Sequence, residues 1–127
     1  MEIGARLGGG CISTHLVPLS TGVNMVEANI RIALGETPDL CKKYDKGAAI
    51  RFLQPLPGIF KSVEGVDEAR GISGVIEVGF MKKIGEVIPE LSNGLDRVGY
   101  VITQGNTREE AVRLCGQAVK KIKFEMV

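Results

Sequence analysis

The clearest pattern along the chain is a set of apolar residues at helical spacing near the C-terminus. These residues are Ala111, Leu114, Cys115, Ala118 and Ile122. Recurrence every three or four positions is typical of one face of an α-helix. Thr107, with Glu110 three positions later, is typical of a capping box at a helix start. The pattern therefore predicts a helix that begins after Thr107 and buries this face.

The same spacing predicts a second helix nearer the N-terminus. Asn24 is a suitable capping residue, Glu27 follows it at capping-box distance, and Gly35 is a suitable terminator. The apolar positions of this helix are Val23, Val26, Ile30, Ala33 and Leu34. We expect this face to be buried as packing support for a strand that precedes it. A short helical turn is expected before it, between Ser13 and Ser20.

The middle and the end of the chain have the pattern of strands. Strands are predicted at 49–53, 59–63, 75–81, 98–102 and 124–127, with a short helix at 66–70. From residue 58 onward the order is strand, helix, strand, strand, helix, strand, as in the ferredoxin-like split βαββαβ pattern. The charged connection at 36–47 predicts a lobe boundary. We therefore predict an α+β fold with two parts, residues 1–40 and residues 41–127.

Composition excludes several classes of partner. The chain has 127 residues, enough for one domain with its own core. Sixteen basic residues against fifteen acidic ones, without long runs, predict no nucleic-acid partner and no membrane partner. The absence of tryptophan and the scarcity of aromatic residues also disfavour a ferredoxin-like RNA binder. Three widely spaced cysteines indicate reduced thiols, so we expect a cytoplasmic protein.

The N-terminus combines an acid, a base and a glycine loop. If residues 2–6 form a strand, Glu2, Gly4 and Arg6 share one face. A carboxylate can hold a divalent cation, and a guanidinium can bind phosphate bidentately. The glycines at 8–10 let the backbone approach a ligand closely. This run predicts a corner that binds phosphate and metal.

Continued through residues 11–22, this stretch resembles the end of the ATP-grasp module of carboxylate-amine ligases, in particular the L-amino-acid ligase branch. The same module occurs in biotin carboxylase and in the large chain of carbamoyl-phosphate synthase. The resemblance implies an enzyme that uses ATP and Mg²⁺ to activate a carboxylate as an acyl phosphate. An amine then attacks the acyl phosphate to form an amide or peptide bond. The remainder of the chain resembles the C-terminal lobe of these ligases.

The resemblance implies roles for individual residues. Glu2 is the expected Mg²⁺ ligand, and Arg6 is expected to stabilise the acyl phosphate or the tetrahedral intermediate. Gly8, Gly9 and Gly10 are expected to shape the substrate pocket, to which Ser13 could lend its hydroxyl. His15, the only histidine, is a candidate base or donor to a bound carboxylate. For each position an ordinary structural role, such as a surface ion pair or a capping residue, stays open.

The chain departs from the family pattern at Gly4, where an asparagine is usual. The nucleotide-binding elements that such a ligase needs would lie N-terminal to Glu2. We therefore expect a C-terminal part of a larger ligase that is inactive alone and self-associates where the N-terminal lobes are missing. The alternative is a non-catalytic interaction or regulatory module that retains the fold, an alternative that Gly4 favours.

Overall fold

The computed structural model describes residues 4–127, and its helices and strands alternate along most of the chain. The helical elements are a π-helical turn at Ile12–Leu16, α1 at Val17–Thr21, α2 at Met25–Ala33, α3 at Val66–Arg70, a 3-10 turn at Gly94–Asp96 and α4 at Arg108–Lys121. The strands are β1 at Gly47–Leu53, β2 at Gly58–Glu64, β3 at Val75–Phe80, β4 at Val87–Ile88, β5 at Gly99–Gly105 and β6 at Lys123–Met126.

The strands form two antiparallel sheets. In the first sheet β5 lies between β1 and β3, and in the second β2 lies between β4 and β6. The predicted α+β class is confirmed, and the order of elements from residue 58 agrees with the prediction apart from the short β4. Because the described strands form two sheets, the ferredoxin-like detail stays a prediction.

The main core lies between α4 and the first sheet. Val101 and Thr103 of β5 are fully buried beneath α4, whose Ala111, Cys115 and Ala118 are also fully buried. The Thr103 hydroxyl donates a hydrogen bond of 2.7 Å to the Ala111 carbonyl, so this polar side chain is satisfied inside the core. The predicted inner face of the C-terminal helix is therefore confirmed, and the Thr107 side chain caps that helix as expected.

A smaller core lies under the second sheet. Phe60, Ile88 and Val98 are buried there, with Phe124 packed against them. The Phe60 and Phe124 rings are 5.4 Å apart between centroids in a tilted arrangement, which is favourable for aromatic pairs. Phe80 of β3 also contacts Phe124 and thereby joins the two sheets.

Residues 12–21, which we call the N-terminal helical segment, are held against the first sheet. The Gln104 side-chain amide of β5 donates 2.6 Å to the Leu19 carbonyl of this segment. The Tyr44 hydroxyl donates 2.8 Å to the Pro18 carbonyl. The helical turn predicted here is confirmed, and it ends at Gly22 in the left-handed conformation with φ 76°.

The predicted buried face of α2 is wrong within the helix, although Val23, just before the helix, is buried as predicted. Asn24 caps the helix through the Glu27 N–H as expected, yet Val26, Ile30 and Leu34 are 38, 54 and 70% exposed. Ala28 is the buried residue within the helix. Helical spacing identifies an apolar face but does not show which part of the protein packs against it. In the described chain it is Ala28, and not the predicted face, that packs against the rest of the protein.

The predicted N-terminal strand is not observed in its described part. Residues 4–7 form a bend, in which the Arg6 N–H donates 2.8 Å to the Gly4 carbonyl. A strand requires hydrogen bonds to a neighbour, and none of the described strands pairs with residues 4–7. Glu2, the predicted metal ligand, lies outside the described residues.

The close approach of β1 to the start of α4 gives a test of the fold. A Cβ added at Gly47 would lie 1.9 Å from the Thr107 carbonyl oxygen. We expect Gly47→Ala to lower the free energy of unfolding in urea by about 1–3 kcal/mol through overpacking. Gly9→Ala is the matched control, since its Cβ meets no described atom within 4 Å. Equal stability of the two variants would contradict this packing.

Candidate functional site

The glycine loop is anchored by a buried hydroxyl. The Gly8 N–H donates 2.9 Å to Ser13 Oγ, and Ser13 is buried. Gly8, Gly9 and Gly10 are themselves exposed. The Ser13 hydroxyl therefore holds the shape of the loop, while the surface of the loop stays open to a ligand.

The loop turns into the N-terminal helical segment through two left-handed residues. Gly10 has φ 60° and Cys11 has φ 65°, and the π-helical turn begins directly afterwards. Positive φ is uncommon for a residue with a side chain, so the Cys11 backbone is strained by its place in this turn. His15, which lies in the π-helical turn that follows, reaches Glu77 of the first sheet.

His15 bridges two polar side chains. Its Nε2 lies 3.2 Å from Glu77 Oε2 of β3, and its Nδ1 lies 2.8 Å from Thr14 Oγ1. The side chains of His15 and Glu77 are 33 and 40% exposed. Both ring nitrogens are therefore engaged at the protein surface, next to the glycine loop.

The Glu77 carboxylate has a second partner on the next strand. The Tyr100 hydroxyl of β5 donates 2.5 Å to Glu77 Oε1. This hydrogen bond, with burial and the charge of Glu77, raises the pKa of Tyr100 to about 12. A Cβ at Gly79 would lie 2.5 Å from the Tyr100 ring, so the glycine provides the space that the ring occupies. The result is a chain of polar contacts through Thr14, His15, Glu77 and Tyr100, in which the outer two links are hydrogen bonds and the His15–Glu77 link is an ion-pair contact.

Cys11 lies near this chain as a neutral thiol. Burial and the charge of Glu77 raise the pKa of Cys11, and the hydrogen bond with Thr14 acts in the opposite direction. A raised pKa keeps the thiolate scarce at neutral pH, and the thiolate is the nucleophilic form. The thiol is therefore a poor candidate nucleophile.

The other predicted site residues are placed differently. Arg6 is exposed, and its guanidinium donates 3.1 Å to the neighbouring Leu7 carbonyl. Within residues 4–127, no group of three or more His, Cys, Asp or Glu side chains could hold a metal ion. The structure thus brings Ser13 and the glycines together beside His15, while the roles of Arg6 and Glu2 stay predictions.

Sequence reasoning missed Glu77 and Tyr100. They meet because β3 pairs with β5 with an irregularity between Val75 and Glu77, a register that the sequence pattern does not reveal. One signal was available, since Glu77 is the only charged residue in the apolar strand Val75–Phe80. A charged residue inside such a strand is a reason to look for a polar partner.

A search for membrane spans finds no helix of sufficient length and apolarity among residues 4–127.

Comparison with known proteins gives matches in sequence and in structure. A family model for L-amino acid ligase C-terminal domain 2 matches residues 51–127. An uncharacterized protein from Sinorhizobium fredii (strain NBRC 101917 / NGR234) is 29% identical over 127 residues, which are 99% of this chain and 26% of that protein. This chain therefore spans about a quarter of that relative.

Two solved structures superpose on nearly the whole chain at 20% identity. Phosphoribosylglycinamide synthetase from Anaerococcus prevotii gives a TM-score of 0.80 over 96% of this chain and 32% of the synthetase. L-amino acid ligase from Bacillus licheniformis gives a TM-score of 0.81 over 98% of this chain and 31% of the ligase. Both are ATP-grasp enzymes, so the fold is that of the C-terminal region of ATP-grasp ligases. With the family model matching residues 51–127, the chain belongs to the L-amino acid ligase C-terminal domain 2 family.

Proposed function

We propose that this chain is the C-terminal part of an ATP-dependent ligase that activates a carboxylate as an acyl phosphate and joins it to an amine. The observation that carries the proposal is the family match over residues 51–127. We favour an amino-acid ligase as the complete enzyme, and a carbamoyl-phosphate synthase-like ligase is the alternative within the same class. ATP and Mg²⁺ are the proposed cofactors, and the cytoplasm is the proposed location.

We assign the site to the N-terminal part of the chain. Gly8, Gly9 and Gly10 form the substrate-facing loop, which Ser13 supports through its hydrogen bond to Gly8. Arg6 stabilises charge on the acyl phosphate, and Glu2 contributes to the metal site. His15 acts as a catalytic residue beside the loop. In this proposal residues 1–40 form the C-terminal end of the ATP-grasp module, and residues 41–127 form the C-terminal lobe that supports it.

The second candidate is a non-catalytic interaction or regulatory module that kept the ligase fold. One observation favours it: the glycine at position 4, where the family pattern has an asparagine. Amide formation by a complete ligase that contains this chain distinguishes the two candidates, because a non-catalytic module would not contribute residues to an active site. Neither candidate includes a nucleic-acid or membrane partner.

The ligase proposal is tested in a chimera. This chain replaces the superposing segment of the Bacillus licheniformis ligase, which supplies its own remaining lobes. We expect ATP-dependent and Mg²⁺-dependent amide formation by the chimera. The isolated 127-residue chain should release no ADP, because positioning of several substrates and a metal carries most of this catalysis. A chimera that folds and binds ATP without forming amide would favour the non-catalytic module.

Arg6→Ala in the chimera tests the role of that residue. We expect turnover to fall by roughly 10²–10³-fold with little change in ATP affinity, since the charge that Arg6 stabilises develops during the reaction. Arg113→Ala, at an exposed position of α4, is the matched control. A loss of ATP affinity with unchanged turnover at saturation would instead make Arg6 a ground-state contact.

We also propose that the isolated chain self-associates. Residues 4–7 are not in a strand and offer no strand edge for pairing, so the exposed face of α2 is the better surface. Ile30 and Leu34 are exposed there, and the chain spans about a third of the two enzymes, whose other lobes have no counterpart in it. A second copy would cover this face in the isolated chain.

Light scattering should therefore give about twice the monomer mass at high protein concentration. Ile30→Lys should reduce the mass to that of a monomer. Leu56→Lys, at a residue that is 79% exposed outside α2, should not reduce it. A monomeric natural chain, or an equal effect of both variants, would contradict association through α2.

A further inference from the structure

The Glu77 carboxylate sets a direction along the polar contacts of Thr14, His15, Glu77 and Tyr100. An ionised carboxylate only accepts hydrogen bonds, so Glu77 accepts from the Tyr100 hydroxyl on one oxygen. Its other oxygen lies 3.2 Å from His15 Nε2, and the negative charge at that distance favours a proton on this nitrogen. In the neutral ring the second nitrogen, Nδ1, is then an acceptor. The Thr14 hydroxyl, 2.8 Å from Nδ1, then donates to it. Thr14 also shares a hydrogen bond with Cys11, and because the raised pKa of Cys11 keeps it a thiol, the S–H can donate to the Thr14 oxygen.

This direction leaves the Thr14 oxygen with its lone pairs directed away from the ring. Thr14 is exposed, and it follows Ser13, whose hydroxyl anchors the glycine loop. A hydrogen-bond donor on a ligand at the glycine loop can therefore donate to Thr14 Oγ1, whose own proton is donated to His15. The arrangement is a hydroxyl, an imidazole and a carboxylate in series, in which the imidazole can take up a proton through the hydroxyl.

We propose that Thr14, His15 and Glu77 form a proton relay that deprotonates the ammonium form of an amine substrate, with Glu77 and Tyr100 as positioning residues. The choice of substrate rests on the proposed ligase function. An amine attacks an acyl phosphate through its lone pair, so an ammonium ion must first lose a proton. Thr14 is then a catalytic residue that contacts the substrate.

The step balances in protons and charge. The ammonium group gives one proton to Thr14 Oγ1 while the hydroxyl proton of Thr14 moves to His15 Nδ1. The products are a neutral amine, an intact hydroxyl and an imidazolium ion. The positive charge now lies on the ring, 3.2 Å from Glu77 Oε2, and the carboxylate stabilises it. When the tetrahedral intermediate collapses, the nitrogen loses its second proton to the departing phosphate. The imidazolium returns the first proton through the same hydroxyl to solvent.

The neighbouring titratable groups leave this charge pattern intact. Tyr100 and Cys11 both have a pKa raised above the ordinary value, so both are neutral at physiological pH. Glu77 therefore supplies the negative charge beside His15, and the Tyr100 hydrogen bond fixes the direction of its carboxylate. Tyr100 in turn occupies the space left open at Gly79.

The tautomer of His15 tests the relay in the 127-residue chain itself, because it is the only histidine. In ¹⁵N–¹H spectra at about pH 9, where an ordinary imidazole is neutral, we expect the proton on Nε2 and a bare Nδ1. Thr14→Val should move the Nδ1 resonance because the donor is lost. Thr14→Ser, which keeps the hydroxyl, should leave it in place.

Glu77→Gln is the decisive variant, since an amide of the same shape can donate as well as accept and no longer selects one tautomer. We expect the ratio of the Nε2–H to the Nδ1–H form to fall by about twofold to fivefold, the effect of one partly exposed hydrogen bond. Glu109→Gln, at an exposed glutamate in the first turn of α4, is the matched control and should leave the ratio unchanged. Tyr100→Phe keeps the carboxylate and should keep the Nε2–H form.

Protonation on Nδ1 in the natural chain would overturn the relay, as would a ratio that Glu77→Gln and Glu109→Gln leave equally unchanged. The spectra are recorded on the 127-residue chain and need neither ATP nor any other lobe of a ligase. An unfavourable tautomer would therefore refute the relay and leave the ligase proposal standing. An inactive chimera would refute the ligase proposal and leave the tautomer result standing.

Discussion

The burial of β5 on both faces is the constraint on which the rest of the structure depends. Val101 and Thr103 face α4, while Tyr100 and Gln104 face the N-terminal helical segment. Alternation along one strand therefore gives one set of side chains to the core and the other set to the candidate site. Because β1 and β3 both pair with β5, a change in its register would separate Tyr100 from Glu77.

Local patterns predicted the parts of the fold that local interactions determine. The period of α4, its Thr107 cap and the short helix α3 were all predicted because spacing and capping act within a few residues. The burial of the apolar face of α2 was predicted wrongly, since burial depends on which residues outside the helix pack against that face. The strand expected at residues 2–6 failed over residues 4–7 for a similar reason: strand pairing requires a neighbour, and the sequence does not specify one.

The candidate site was predicted in part for the same physical reason. The glycine loop, Ser13 and His15 lie close together in sequence, and the structure also places them close together. Glu77 lies far from His15 in the sequence and reaches it through the pairing of β3 with β5. A lone histidine therefore gains its carboxylate from tertiary structure. The Glu77 carboxylate favours a proton on Nε2 of the His15 ring, which leaves Nδ1 as the acceptor.

The central claim is that the first sheet holds Glu77 between Tyr100 and His15, and ionisation of the Tyr100 hydroxyl tests this claim most directly. Tyr44→Phe leaves Tyr100 as the only phenol, because the chain has two tyrosines. With a pKa of about 12, Tyr100 should remain protonated at about pH 10.5 by ultraviolet absorbance while circular dichroism shows a folded protein. Glu77→Gln should restore ionisation near the ordinary tyrosine value. Extensive phenolate at that pH in the folded protein with Glu77 intact would contradict the account.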